Sequence, residues 1–159
     1  MKRSNKTGKT AGILLLAVLL AVLASCSSSP HVQKEADVLK LIRLINEGKV
    51  TEVEGLSPAP FVLDSETLYL ESDIETLWKN LKAASFTMSN AVFVQTEHIT
   101  PDSYKIFADT FDMKNFFEKY TDKDTSVVTI DTADGRYYLI LERKVKGYPK
   151  IRGFKGPVK

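Results

Sequence analysis

Apolar positions alternate with polar ones along this chain in three distinguishable ways, and each predicts a different kind of element. Between residues 33 and 47, Val38, Leu41, Ile42 and Ile45 recur at i, i+3, i+4 and i+7, widened by Leu39 and Leu44, which predicts an amphipathic helix stopped by Gly48. Val50 to Leu56 reads as a further short helical or irregular piece, and Ser57-Pro58-Ala59-Pro60 as a break. Ile74, Leu77, Trp78 and Leu81 form a second helical stripe, entered through a capping-box spacing, Ser72-Asp73-Ile74-Glu75, and ending near Ala84. A third stripe, Met113, Phe116, Phe117 and Tyr120, predicts a short helix over 112–120 capped by Asp112.

The period-two segments predict strands. Phe61-Val62-Leu63 and Thr67-Leu68-Tyr69-Leu70 read as a small hairpin around Asp64-Ser65-Glu66. Residues 86–98 read as one long strand, with Val92, Val94, Thr96 and His98 on one face and Ala91, Phe93, Gln95 and Glu97 on the other; Thr100-Pro101-Asp102 turns it into a returning strand, Tyr104 to Asp109. After a polar loop at 121–125 come a strand from Val127 to Asp131, a turn at Asp134-Gly135, and a strand from Tyr137 to Arg143. The core of that last strand, Tyr138-Leu139-Ile140-Leu141, is apolar on both faces and predicts a central position covered from both sides. Gly147-Tyr148-Pro149 turns the chain into a final strand, Lys150 to Phe154. The expected fold class is α+β: N-terminal helices packed on a curved, mostly antiparallel sheet, following a cleaved signal peptide.

The third pattern is the run Ala11 to Leu23, wholly apolar apart from Gly12 and preceded by Lys2, Arg3, Lys6 and Lys9 without an acid. A basic start, an apolar run of this length and small residues at its end are the marks of a secretory signal peptide, and the run is shorter than the roughly 18–20 residues that cross a bilayer comfortably. At its end stands Leu23-Ala24-Ser25-Cys26, which contains the only cysteine of the 159 residues. With no second cysteine an internal disulfide is ruled out, so the mature domain depends on its core alone. Ser27-Ser28-Ser29-Pro30 reads as a flexible tether. The predicted organisation is thus 1–25 leader, 26–32 modified cysteine and tether, and 33–159 a single domain.

Charge sharpens the picture. The whole chain carries 22 basic and 20 acidic residues; without the four leader cations 18 basic residues face 20 acidic ones. The distribution is uneven, for residues 143–159 hold seven cations (Arg143, Lys144, Lys146, Lys150, Arg152, Lys155 and Lys159) and no acid. Such an end could touch anionic lipid headgroups, but the reading favoured from sequence is a solvated strand and tail. An acidic body without a recognition motif argues against nucleic acid as a partner.

Leu23-Ala24-Ser25-Cys26 resembles the lipobox of bacterial lipoproteins. That resemblance implies cleavage between Ser25 and Cys26, a diacylglyceryl thioether on the Cys26 sulfur, and further acylation, with chains such as palmitate, of the new amino group. It implies a cell-envelope location anchored to a membrane through Cys26; Ser27, rather than Asp, after the cysteine implies the outer membrane where the organism has one, otherwise the outer face of the cytoplasmic membrane. Two or three acyl chains anchor stably where one does not. Over residues 33–156, the order helix, short strand, helix, sheet, with Pro60-Phe61-Val62-Leu63-Asp64 leading into a Trp-bearing helix, resembles the nuclear-transport-factor-2-like (cystatin-like α+β) domains. The resemblance implies a conical pocket, with Trp78, Phe93, Tyr104, Phe107 and Tyr138 as candidate lining residues, although aromatics in such positions are more often plain core.

The candidate chemistry is thin. His31 lies in the tether and His98 ends a strand with Glu97 on its other face, so neither has an orienting partner in the sequence pattern. Asp64, Glu66, Glu71 and Asp73 match no calcium-loop spacing, and phosphate-loop, dinucleotide and serine-nucleophile motifs are missing. The expectation is therefore no metal, no cofactor and no assignable catalytic residue. The leading reading is a membrane-anchored binding or interaction module for a small apolar ligand or an envelope protein. The alternatives are a structural envelope lipoprotein, and an enzyme using a buried carboxylate such as Asp109.

Overall fold

The computed structural model describes residues 33–159; the leader, Leu23-Ala24-Ser25-Cys26, the Ser27–Pro30 tether and His31 lie outside the described residues. The domain is α+β, with a six-stranded mixed sheet and four α-helices among the described residues. In chain order these are α1 (Glu35–Asn46), α2 (Val50–Glu54), β1 (Phe61–Leu63), β2 (Glu66–Leu68), α3 (Glu71–Ala83), β3 (Val92–His98), a 3-10 turn (Ser103–Ile106), α4 (Phe111–Tyr120), β4 (Ser126–Thr132), β5 (Gly135–Val145) and β6 (Tyr148–Val158). The strands lie in the order β2-β1-β6-β5-β4-β3. All neighbours are antiparallel except β1 and β6, which pair in parallel through Val62 with Gly153 and Leu63 with Phe154.

Helices cover both faces. The stripes of α1 (Val38, Leu41, Ile42, Ile45) and α3 (Ile74, Trp78) bury against Val128 and Ile130 of β4, Leu139 and Leu141 of β5 and Phe154 of β6. On the opposite face, Met113, Phe116 and Phe117 of α4, with Phe107, bury Val62, Val127 and Ile140. Strand β5 is therefore central and apolar on both sides, as its sequence predicts.

Several predicted features differ. Residues 86–91 are not strand: Ser85 and Asn90 take positive φ (54° and 55°), and Met88, fully buried, is clamped by Asn46, whose Oδ1 accepts the Met88 N–H at 2.8 Å while its Nδ2 donates to the Met88 carbonyl. Register shifts between Phe93 and Gln95 in β3, so Phe93 and Thr96 share the α1 face and the predicted strict alternation is broken. The segment Tyr104–Asp109 forms a 3-10 turn and a loop rather than a returning strand; the Thr100 N–H donates to Ser103 Oγ at 2.8 Å, and β3 pairs with β4 instead. Helix α3 begins at Glu71, placing Ser72 inside its first turn, so the capping box goes unused; α4 is capped by Thr110, whose Oγ1 accepts from the Met113 N–H, and not by Asp112. The β5–β6 turn is Lys146-Gly147, both at positive φ, and Tyr148 and Pro149 already belong to β6.

Candidate functional site

The five aromatic candidates are not brought together. Trp78 and Phe93 pack on the α1 side of the sheet, Tyr104, Phe107 and Tyr138 on the α4 side, and the sheet lies between them. The Trp78 ring is 3 % exposed and sits about 6 Å from Phe61 and Phe154, with its indole N–H donating to Ser57 Oγ at 3.0 Å. The cavity it borders, with Ile45, Val53 and Phe86, measures about 20 Å³. That is water-sized, against the roughly 300 Å³ at which ligand sites begin. Asp109 is exposed, unlike the buried carboxylate an acid–base enzyme would need. His98 is exposed at the end of β3 beside a shallow recess of about 170 Å³ that also holds Glu97 and Asp102. Among the described residues no group of three or more His, Cys, Asp or Glu side chains is placed to hold a metal, and no helix is long and apolar enough to cross a membrane.

The largest recess described, about 530 Å³, lies where the C-terminal end of α4 meets the β5–β6 hairpin, and it is polar. Its wall is organised by Arg152, the extra residue of a bulge, since Ile140 pairs with Gly153 while Leu141 pairs with Ile151. The Arg152 guanidinium donates from Nε to Glu142 Oε1 at 2.6 Å and reaches toward the Ala59 carbonyl at 3.3 Å. Both side chains of this pair are more than four-fifths buried, so the pair is desolvated and its geometry is fixed. Asp122 is committed to its own loop, its Oδ1 accepting from the Asp124 N–H and Thr125 Oγ1, each at 2.9 Å.

The same end of the domain receives the start of the described chain. Gln33 is buried and donates from Nε2 to the Glu142 carbonyl at 2.8 Å. Four residues on, Asp37 accepts from Lys144 Nζ at 2.9 Å, and this bond, with the surrounding lysines, holds the Asp37 carboxyl below its usual range against the opposing effect of burial. Lys119, Arg143 and Lys150 line the recess without an ion-pair partner among the described residues. This arrangement can attract and hold anionic groups; it offers no oriented nucleophile or general base. The run of cations is visible in the sequence, but the approach of Gln33 and Asp37 to it, over more than 100 positions of chain, is not.

No protein-family model matches the chain, and no curated protein matches it.

Proposed function

We propose that this protein is a lipoprotein of the cell envelope. The chain is exported on residues 1–25, cut between Ser25 and Cys26, and held to a membrane by acyl chains on Cys26, with 33–159 as an extracytoplasmic interaction domain. One observation carries this reading: Leu23-Ala24-Ser25-Cys26 stands directly after a basic start and a short apolar run, in a chain with no other cysteine. Its thiol has no disulfide role to compete with lipidation. Several acyl chains, at about 0.8 kcal/mol per buried CH₂, make such an anchor stable.

For the domain itself, an interaction role is favoured over a small apolar ligand. The core recess is water-sized, and the largest recess described is open and polar. Apolar side chains are instead left outside: Tyr69 and Leu70, adjacent in the chain, are 60 % and 61 % exposed. The helix-then-sheet order supports kinship with nuclear-transport-factor-2-like domains, whereas α4 on the second face departs from it.

The test is mass spectrometry of the processed protein, with metabolic labelling by a tagged palmitate. The expected N-terminal peptide begins at Cys26 and carries the diacylglyceryl and acyl masses, and Cys26→Ala abolishes both label and cleavage. A Cys26→Ala chain that stays membrane-bound and uncleaved with its wild-type counterpart unlabelled would establish a leader-helix anchor instead.

A further inference from the structure

The β5–β6 hairpin carries its charge at one end. Arg143, Lys144, Val145 and Lys146 are all exposed around the Lys146-Gly147 turn, and Lys150 follows on the returning strand. Lys144 is engaged by Asp37, while Arg143, Lys146 and Lys150 have no ion-pair partner among the described residues. Val145, 39 % exposed, is an apolar residue set among these cations. The acids nearest in the fold are Glu142, held by Arg152, Asp37, held by Lys144, and Asp122 and Asp124 on the loop across the recess. Strand β5 spans 11 residues, so its other end, the Ala133-Asp134 turn, lies roughly 35 Å away at about 3.3 Å per residue.

The start of the described chain is pinned at the basic end, by Gln33 on the Glu142 carbonyl and by Asp37 on Lys144. Only six residues separate Gln33 from Cys26, and a segment of that length reaches at most about 25 Å. A lipid on Cys26 therefore tethers the domain at its hairpin end, so the tip reaches the membrane surface more readily than the opposite turn. Within that reach the cations can approach to within about the 8 Å over which surface charge is felt at physiological ionic strength. The tether also supplies a high effective concentration, so a weak surface attraction is enough to hold the tip down.

We propose that the β5–β6 hairpin tip is a second membrane contact, in which Arg143, Lys146 and Lys150 take the phosphates of anionic phospholipid headgroups and Val145 settles among them. This rests on the lipid-anchor reading, which decides the end that faces the membrane. The domain then stands with β5 pointing at the bilayer and the Ala133-Asp134 turn outward. Each cation near an anionic surface strengthens the contact about fivefold, so the three together supply on the order of a hundredfold.

The experiment uses the full lipidated chain carrying Val145→Cys, labelled with an environment-sensitive dye and reconstituted into vesicles containing a lipid-borne quencher. The Cys26 sulfur is occupied by its thioether and does not take the dye. Asp134→Cys, labelled identically, is the reference. In vesicles rich in phosphatidylglycerol, the probe at position 145 is expected to be quenched and the probe at 134 not. The difference is expected to vanish in phosphatidylcholine alone, and the triple variant Arg143→Gln, Lys146→Gln, Lys150→Gln should lower the contact equilibrium on the order of a hundredfold. Equal quenching at the two positions, or quenching at 145 that ignores anionic lipid and the three charges, overturns the inference. Flotation of the vesicles reports the anchor separately. A chain that floats without quenching at 145 defeats the hairpin contact alone. One that fails to float, or takes dye at Cys26, defeats the anchor and the contact with it.

Discussion

Replacing Gly153 by Ala tests how closely the sheet is assembled at its one parallel seam. A Cβ built on Gly153 would lie 2.6 Å from Val62 Cβ and 2.6 Å from the Val62 carbonyl oxygen, closer than side chains tolerate. Neither contact is the end of a flexible side chain, so β1 itself must shift from β6. Local overpacking of this kind costs about 1–3 kcal/mol. If β1 leaves altogether, the burial of Phe61 and Val62, both 0 % exposed, is lost as well, at about 1.5–3 kcal/mol each. The expected destabilisation is therefore about 3 kcal/mol, or roughly a 10 °C fall in Tm. Trp78, the only tryptophan, reports on this seam directly through its packing against Phe61 and Phe154, so urea unfolding followed by its fluorescence is the assay. Gly147→Ala is the control: it sits at φ +87° with nothing within 4 Å of a new Cβ, so it carries backbone strain alone, about 1–2 kcal/mol. A Gly153→Ala variant losing less than about 0.5 kcal/mol, or less than the Gly147→Ala control, would refute the close β1–β6 approach.

Two further perturbations follow from the polar framework. Asp37 titrates below its usual value because Lys144 bonds its charged form, so its contribution to stability is fully present above the unfolded carboxylate pKa, near 3.9, and is lost as pH falls through the lower folded value; Lys144→Met should raise the Asp37 pKa in a carbon-detected NMR titration and flatten the acid limb of stability. Thr129, 2 % exposed, buries a hydroxyl without a hydrogen-bond partner among the described residues, so the isosteric Thr129→Val should stabilise the domain by about 1 kcal/mol in urea unfolding, and a loss of stability would show that the hydroxyl is satisfied.

The helices were legible because their stripes answer to one local rule. Val38, Leu41, Ile42 and Ile45 of α1 and Met113, Phe116 and Phe117 of α4 are all buried, and the double-sided Tyr138–Leu141 run does mark the strand covered on both faces. What was illegible depends on partners far away in the chain. Residues 86–91 have strand-like composition, but Asn46 turns them into a loop that plugs Met88 into the core. The extra residues in β3 and β6 reverse which side chains face inward, and no alternation pattern reveals a bulge that its partner strand imposes. The aromatic candidates show the same limit: their apolar character is visible, but Tyr104 and Trp78 fall on opposite sides of the sheet because α4 folds back across the face that α1 leaves open. At the basic end, the cations could be counted in advance, whereas the desolvated Glu142–Arg152 pair depends on the bulge at Arg152.

The place of β6 has a consequence for the order of assembly. It is the last strand of the chain, yet it sits between β1 and β5, and its Phe154 stands within about 6 Å of Phe61, Trp78 and Phe86. The β3–β4–β5 meander can form from near neighbours, but the seam between β1 and β6 joins residues about 90 positions apart, and contacts of such long range close late. In a chain made from its amino terminus, α1, α2, β1 and α3 exist long before the strand they pack against. The core stays open until Phe154 has been made, which delays completion of the fold until the last strand is available.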